Sequence, residues 1–339
     1  MRRLFSYGDA PVDEVDLAWR VRDTVENLHG AVPGVEELGR ISSQQGLDFA
    51  TMVFYKAVLA APVHGDFVRR VERTPVEPRR SVSRPRLFIV PAMFYRERPD
   101  LGGDGSLVTT VARACGYQVD VFQTSSRGSI SENAAIIAET MAKDSGGPVW
   151  LLSLSKGGGE VRVALQRHTA GWVDRVRGWI NVSGIVRGSH FIDYMLGTPS
   201  GRLRARAFCL ALGSSYSSVT ELQTTHAFWQ QPFVPASHMT VINLVGVPLG
   251  CHVQKALVGR HRRLGALGPN DGFVLLPNTL IHPGPIYPIW GSDHLFRSPQ
   301  VSPLLYRLFN LLREGASAAV WPHASDPVLA LHGDREVGT

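Results

Sequence analysis

Apolar residues recur every three or four positions through the first seventy residues of the chain. Leu17, Val21, Val25 and Leu28 describe one face of a helix, and a second helix is expected over Leu47 to Val71, in whole or part. The segment VERTPVEPRRSVSRPR follows, rich in proline and mixed charge, and reads as an extended linker. From Arg86 the pattern changes to short continuous apolar runs alternating with helical stretches. RLFIVPA, YQVDVFQT, GPVWLLSLS, RVRGWINVSG, HMTVINLVGVP and PIYPIWGSDH are six candidate strands. Unbroken apolar runs of this kind suit strands buried on both faces of a parallel sheet. Between the first strands lie GSLVTTVARACG, a helix with Gly116 as its C-cap, and AAIIAETMAK, preceded by a capping box at Ser129 and Glu132. The third strand runs directly into the helix GGGEVRVALQRH.

This order predicts an α/β fold: an open, mostly parallel sheet flanked by helices on both faces. Residues 1–80 form a helical N-terminal extension and linker, and residues 81–339 the α/β domain. Between the fourth and fifth strands, about 187–237 is too long for an ordinary connection. It is expected to be a helical cap over the strand ends, where ligands bind in such sheets.

Composition narrows the class. At 44% hydrophobic and 19% charged residues, 339 residues can bury a large core. Cys115, Cys209 and Cys251 are widely spaced and odd in number, so neither a disulfide framework nor a CxxC metal site is expected, and a reduced, cytoplasmic protein fits best. The N-terminus lacks the apolar core of a secretory signal. Phe49 to Val63 is apolar but too short to span a bilayer and carries Lys56, so stable membrane insertion is not expected. The net charge of +6 comes from arginine, since lysine occurs only at positions 56, 143, 156 and 255. The arginines are scattered, and the pairs Arg79–Arg80 and Arg262–Arg263 lack interleaved aromatics, so no nucleic-acid partner is expected. The histidines show no metal-binding spacing, and neither a metal nor a cofactor is expected.

The candidate chemistry lies where the third strand meets its helix. Ser155 occupies that junction, with small residues two before and two after it, Ser153 and Gly157, and with Gly158 and Gly159 following. Such a turn needs small neighbours so that strand and helix approach closely, and it lifts the serine hydroxyl above the sheet. The plain alternatives are a phosphate-binding loop or a serine cap. A partner acid and histidine should follow in that order. Asp271, in GPNDGFV, and His294, in IWGSDHLF, do so, each on a loop after a strand. His294 would act as base towards Ser155, and Asp271 would orient it. Asp293 is the fallback acid. The oxyanion donors are expected to be the backbone N–H of Lys156 and one from the loop after the first strand, at Met93 or Phe94; Lys156 also puts a charge beside that position.

Residues from about Arg86 to Pro299 resemble the α/β-hydrolase superfamily, and NDGFV and SDHLF in particular resemble lipase-type esterases. The family's G-H-S-x-G is S-L-S-K-G here. The resemblance implies a serine esterase, lipase-like enzyme or thioesterase that cleaves a small-molecule carboxylic ester or thioester, with an apolar acyl part, through an acyl-serine. The same three residues would equally serve an acyltransferase or a cyclising enzyme, and a non-catalytic scaffold is the reading from another class. Arg187, Arg202 and Arg204 on the cap are candidates for binding a substrate anion.

Overall fold

The computed structural model describes residues 12–78, 84–167 and 171–315. Arg79–Arg80, His168 and the ends of the expected 1–80 and 81–339 regions lie outside them.

Six strands form one sheet: β1 (Arg86–Val90), β2 (Gln118–Val121), β3 (Val149–Leu154), β4 (Val176–Val182), β5 (Thr240–Val247) and β6 (Ile286–Trp290). They pair in the order β2-β1-β3-β4-β5-β6, and every pairing is parallel. The order reverses beside β1, the kind of switch point above which open α/β sheets place their ligand crevice. All six lie at the positions that the apolar runs mark out. Every residue of β5 is buried, as strands sandwiched between helix layers require.

Helices α1 (Glu14–Arg20), α2 (Arg22–Glu26), α3 (Val35–Gln45), α4 (Leu47–Ala60) and α5 (Pro62–Arg73) precede the sheet. The run from Leu47 to Val71 is therefore two helices. Ala61, before Pro62, is extended (φ −65°, ψ 126°), because the proline ring excludes the helical conformation for its predecessor and itself opens α5. These helices share the sheet's core. Phe54 and Val58 of α4 pack with Val245, Val247 and Ile286, and Phe67 and Val71 of α5 join a cluster with β1, β4 and β5. Glu14 ties α1 down by accepting from Trp290 Nε1 at 2.8 Å and meeting His252 Nε2 at 2.9 Å. The start of the expected linker is tethered as well, with Asn310 Nδ2 donating to the carbonyls of Pro75 and Glu77.

The remaining helices are α6 (Ser106–Ala114), α7 (Ile130–Lys143), α8 (Lys156–Arg167), α9 (His190–Leu196), α10 (Pro199–Ala211), α11 (Ser217–Thr220), α12 (Ala227–Gln230), α13 (Val258–Leu264) and α14 (Val301–Gly315). The capping box at Ser129 and Glu132 starts α7. Side chains of α7 and α8 build the core on one face of the sheet, and those of α5, α6 and α14 the core on the other.

The segment expected to form a cap, between β4 and β5, contains α9 to α12. Ile192, Leu196, Ala205, Cys209, Val219, Leu222 and Trp229 root it in the α7–α8 core. It meets three of the loops above the sheet. Phe208 packs edge-on to Phe94 (6.3 Å between centroids), Phe191 contacts Phe273 (5.6 Å), and Ser214 Oγ donates to the Arg127 carbonyl (2.7 Å). Leu203, Phe208 and Leu210 on α10 stay exposed.

Below the sheet, Asp144 at the end of α7 joins Arg86 of β1 (2.5 Å) and Arg175 just before β4 (2.6 Å). The hydrogen bond from Arg86 is the main cause that holds its carboxyl at about 2, with Arg175 adding to it against the cost of burial. A fall from 3.8 to about 2 corresponds to roughly 2 kcal/mol of stability. Because the folded value is depressed, that stability is present above pH 3.8 and is lost as pH falls through about 2. Asp144→Asn should therefore lose about 2 kcal/mol at pH 7 in denaturant unfolding. The gap to wild type should narrow as the pH drops below 3.8, and a gap independent of pH would contradict the ion-pair account.

Candidate active site

β3 becomes α8 at one residue. Ser155 has φ +51°, in the left-handed region that a side chain adopts only under constraint. Its N–H donates to the Val182 carbonyl (3.2 Å), and its own carbonyl accepts from Gly158 (2.9 Å) and Ile185 (2.9 Å), so the turn is fixed on both sides. The glycines after it are required by space. A Cβ on Gly157 would lie 2.8 Å from the Val90 carbonyl oxygen, and one on Gly158 2.7 Å from the Gly184 Cα.

Three side chains from separate loops meet at this turn. Ser155 Oγ lies 2.8 Å from His294 Nε2, and His294 Nδ1 lies 2.7 Å from Asp271 Oδ2. Asp271 is completely buried, and its other carboxylate oxygen accepts from the N–H groups of Phe273 and Val274, both at 2.9 Å. The N-D-G sequence explains this turn. Asn270 Oδ1 accepts from the Gly272 N–H (3.0 Å), and Gly272 itself sits at φ +96°, where glycine is the residue without penalty. The two loops are also joined through the main chain, since the His294 N–H donates to the Asp271 carbonyl (2.9 Å). Phe273 stacks on the imidazole at 5.1 Å with a 25° interplanar angle.

With Nδ1–H donating to the carboxylate, Nε2 is left as an acceptor for the serine O–H. Burial alone would lower the imidazole pKa. The charge and hydrogen bond of Asp271, with a smaller contribution from Asp293, outweigh that, and the net shift is upward from 6.5. The group can take a proton and hold it beside a buried anion. Asp293 is engaged elsewhere: its carboxylate accepts from the N–H groups of Gln254 (2.8 Å) and Leu295 (3.0 Å).

Two expectations about the oxyanion donors need correcting. The Phe94 N–H donates to the Ser126 carbonyl (2.8 Å), so it is not available. The amides of Lys156 and Met93 have no hydrogen-bond partner among the described residues. The Lys156 side chain is not beside this position as a free charge either. It is 1% exposed, pairs with Glu160 (2.5 Å) and donates to the Gly128 carbonyl (2.7 Å). Ser153, expected to be merely small, accepts from Trp179 Nε1 (2.8 Å). On the cap, Arg202 donates to the Leu196 carbonyl (3.0 Å), while Arg187 and Arg204 are exposed.

No protein-family model and no curated protein matches the sequence. Solved structures share its fold. The metagenomic carboxyl esterase MGS0156 is similar over 69% of this chain and 76% of its own, with 21% identity and a TM-score of 0.54. The propeptide form of Bacillus licheniformis lipase BlEst2 is similar over 68% of this chain and 52% of its own, with 22% identity and a TM-score of 0.52. The fold is that of the α/β-hydrolases.

Residues that brace the Ser155 turn of this α/β-hydrolase sheet from behind leave little trace in the sequence. Glu160 is as buried as Lys156 and accepts from Asn133 Nδ2 (2.7 Å). The amide of Asn133 also clasps the main chain of Ser125, whose neighbour Ser126 holds the Phe94 N–H. The Lys156–Glu160 spacing of four along a helix is the signal that could have exposed the pair. Asn133 has no such signal, because its partners, the main chain of Ser125 and the Glu160 side chain, stand at no regular spacing from it. Among the described residues no cluster of histidine, cysteine or acidic side chains is arranged to hold a metal ion, and no helix is long and apolar enough to cross a membrane. The three cysteines are buried and unpaired.

The imidazole shift has a measurable sign. By NMR titration, His294 should change protonation above the ordinary histidine value of 6.5. In Asp271→Asn the main raising influence is gone while burial remains, so the titration should move to lower pH. An unchanged midpoint would contradict the assignment of Asp271 as the partner.

Proposed function

We propose that the chain is a serine hydrolase that cleaves a carboxylic ester or thioester, with an apolar acyl part, through an acyl-serine released to water. The observation that carries this reading is the continuous hydrogen-bonded path from Ser155 Oγ through both nitrogens of His294 to the buried Asp271 carboxylate. The likeness to an esterase and a lipase supports it at the level of fold.

In the first half-reaction His294 Nε2 takes the hydroxyl proton as Oγ attacks the substrate carbonyl carbon. The imidazolium that forms lies against Asp271, whose charge is already in place. The tetrahedral oxyanion takes the free amides of Lys156 and Met93, and each such donor contributes about 3 kcal/mol to the transition state. The proton then passes from Nε2 to the leaving oxygen or sulfur, and the carbonyl re-forms as the acyl-serine. Water, deprotonated by the same nitrogen, attacks that carbonyl. Loss of Oγ frees the acid and returns the proton to the serine. The aromatic contacts of the cap, Phe191 with Phe273 and Phe208 with Phe94, give the acyl part an apolar surround.

The test is reaction with a fluorophosphonate probe beside turnover of p-nitrophenyl esters. Wild type should label and turn over. Ser155→Ala should do neither, and Asp271→Asn should lose about 10,000-fold in kcat. Labelling that persists in Ser155→Ala would overturn the proposal.

A further inference from the structure

α13 carries a cation at the edge of the site that the mechanism above does not use. The Arg260 guanidinium carbon lies 5.0 Å from the ring centroid of Phe191 and 4.8 Å from that of Phe273. Phe191 belongs to the cap. Phe273 follows the acid Asp271 by two residues and stacks on His294. Arg260 therefore stands where the cap, the acid loop and the base meet, one aromatic ring away from the imidazole. Its charge is felt there, opposing protonation of His294.

What the guanidinium lacks is an anion. Other buried and partly buried arginines meet protein acceptors: Arg86 and Arg175 meet Asp144, Arg127 meets Glu97, and Arg162 donates to the carbonyls of Val186 and Gln231. The Arg260 guanidinium makes no ion pair or hydrogen bond with any described residue. None of its nitrogens is closed off from solvent, so its donors stay open to an incoming group. Ring faces attract the charge but offer no oxygen to its planar fork of donors. The group is half-buried, and that burial weakens its hold on its proton. A partly desolvated arginine with open donors beside a reacting centre is a receptor for a carboxylate or phosphate.

Resting on the function proposed above, we propose that Arg260 is a specificity-determining residue that binds an oxyanionic group of the substrate. The preferred ester or thioester then carries a negative charge a few bonds from its scissile carbonyl, on the leaving side or at the far end of an otherwise apolar acyl chain.

Two ester pairs test this. On the acyl side they are mono-p-nitrophenyl glutarate and its methyl ester, in which the charge is masked. On the leaving side they are 4-acetoxybenzoate and methyl 4-acetoxybenzoate. Wild type should favour the charged member of one pair, and which pair does so identifies the side. In Arg260→Met, kcat/KM for that charged ester should fall roughly 10- to 100-fold further than for its neutral partner, chiefly through KM. Arg260→Lys keeps the charge without the fork and should retain part of the preference. It also carries the test if the methionine variant unfolds. Equal losses on both members of a pair would reduce Arg260 to a clamp between two rings and overturn the proposal. So would a wild type that turns over the neutral esters without preferring charge, which would leave the hydrolase reading standing. Failure to turn over any of the four esters, with no fluorophosphonate labelling, would overturn both.

Discussion

The chain passes from β3 into α8 within a single residue, and what stands above the sheet depends on how tightly that turn is made. Ser155 is held at φ +51° by hydrogen bonds to β4 and to the loop beyond it. The helix can come this close only because no side chain stands at 157 or 158, where a Cβ would meet backbone atoms at under 3 Å. A left-handed non-glycine residue costs on the order of 1–3 kcal/mol and persists where its surroundings over-determine it. Here the surroundings are the strands on either side, which are buried and paired along their lengths. The turn directs the hydroxyl away from the sheet and towards the loops that carry Asp271 and His294.

Those loops are held by hydrogen bonds of their own. Asp271 lies in a turn closed by Asn270 and Gly272, and a main-chain bond fastens His294 to it, so the two residues are joined through backbone as well as side chain. Behind Ser155 the Lys156–Glu160 pair is desolvated on both sides. Removing one partner of such a pair costs about 3–5 kcal/mol, because it strands the other charge. Through Gly128, Asn133 and Ser125 the pair reaches the loop whose Ser126 carbonyl fixes Phe94. The same network thus steadies both stretches of chain that carry the unpartnered amides of Lys156 and Met93.

Much of this was legible in the sequence, and the parts that were not share a cause. Strand positions were readable because parallel strands buried on both faces leave unbroken apolar runs, as in LFIV and TVINLVGV. Asp271 and His294 could be read from their order and their turns. The break at Pro62 was written locally, but choosing between one helix and two depends on whether the chain must bend there to follow the sheet. The Phe94 amide looked equivalent to that of Met93, because which N–H is spent depends on the distant carbonyl of Ser126. Lys156 looked like a free charge for the same reason: its partner on the helix was visible, while the burial that makes the pair matter was not. Arg260 gave no signal at all, since what distinguishes it is the carboxylate that the fold fails to bring near it.

The central claim is that Ser155 Oγ becomes covalently bonded to the acyl group. The most direct measurement is mass spectrometry of the acid-quenched, digested protein during turnover of a p-nitrophenyl ester. The account predicts a pre-steady-state burst of p-nitrophenol and an added acyl mass on the peptide that contains Ser155. Turnover without a burst and with that peptide unmodified, or an acyl mass on another residue, would contradict it.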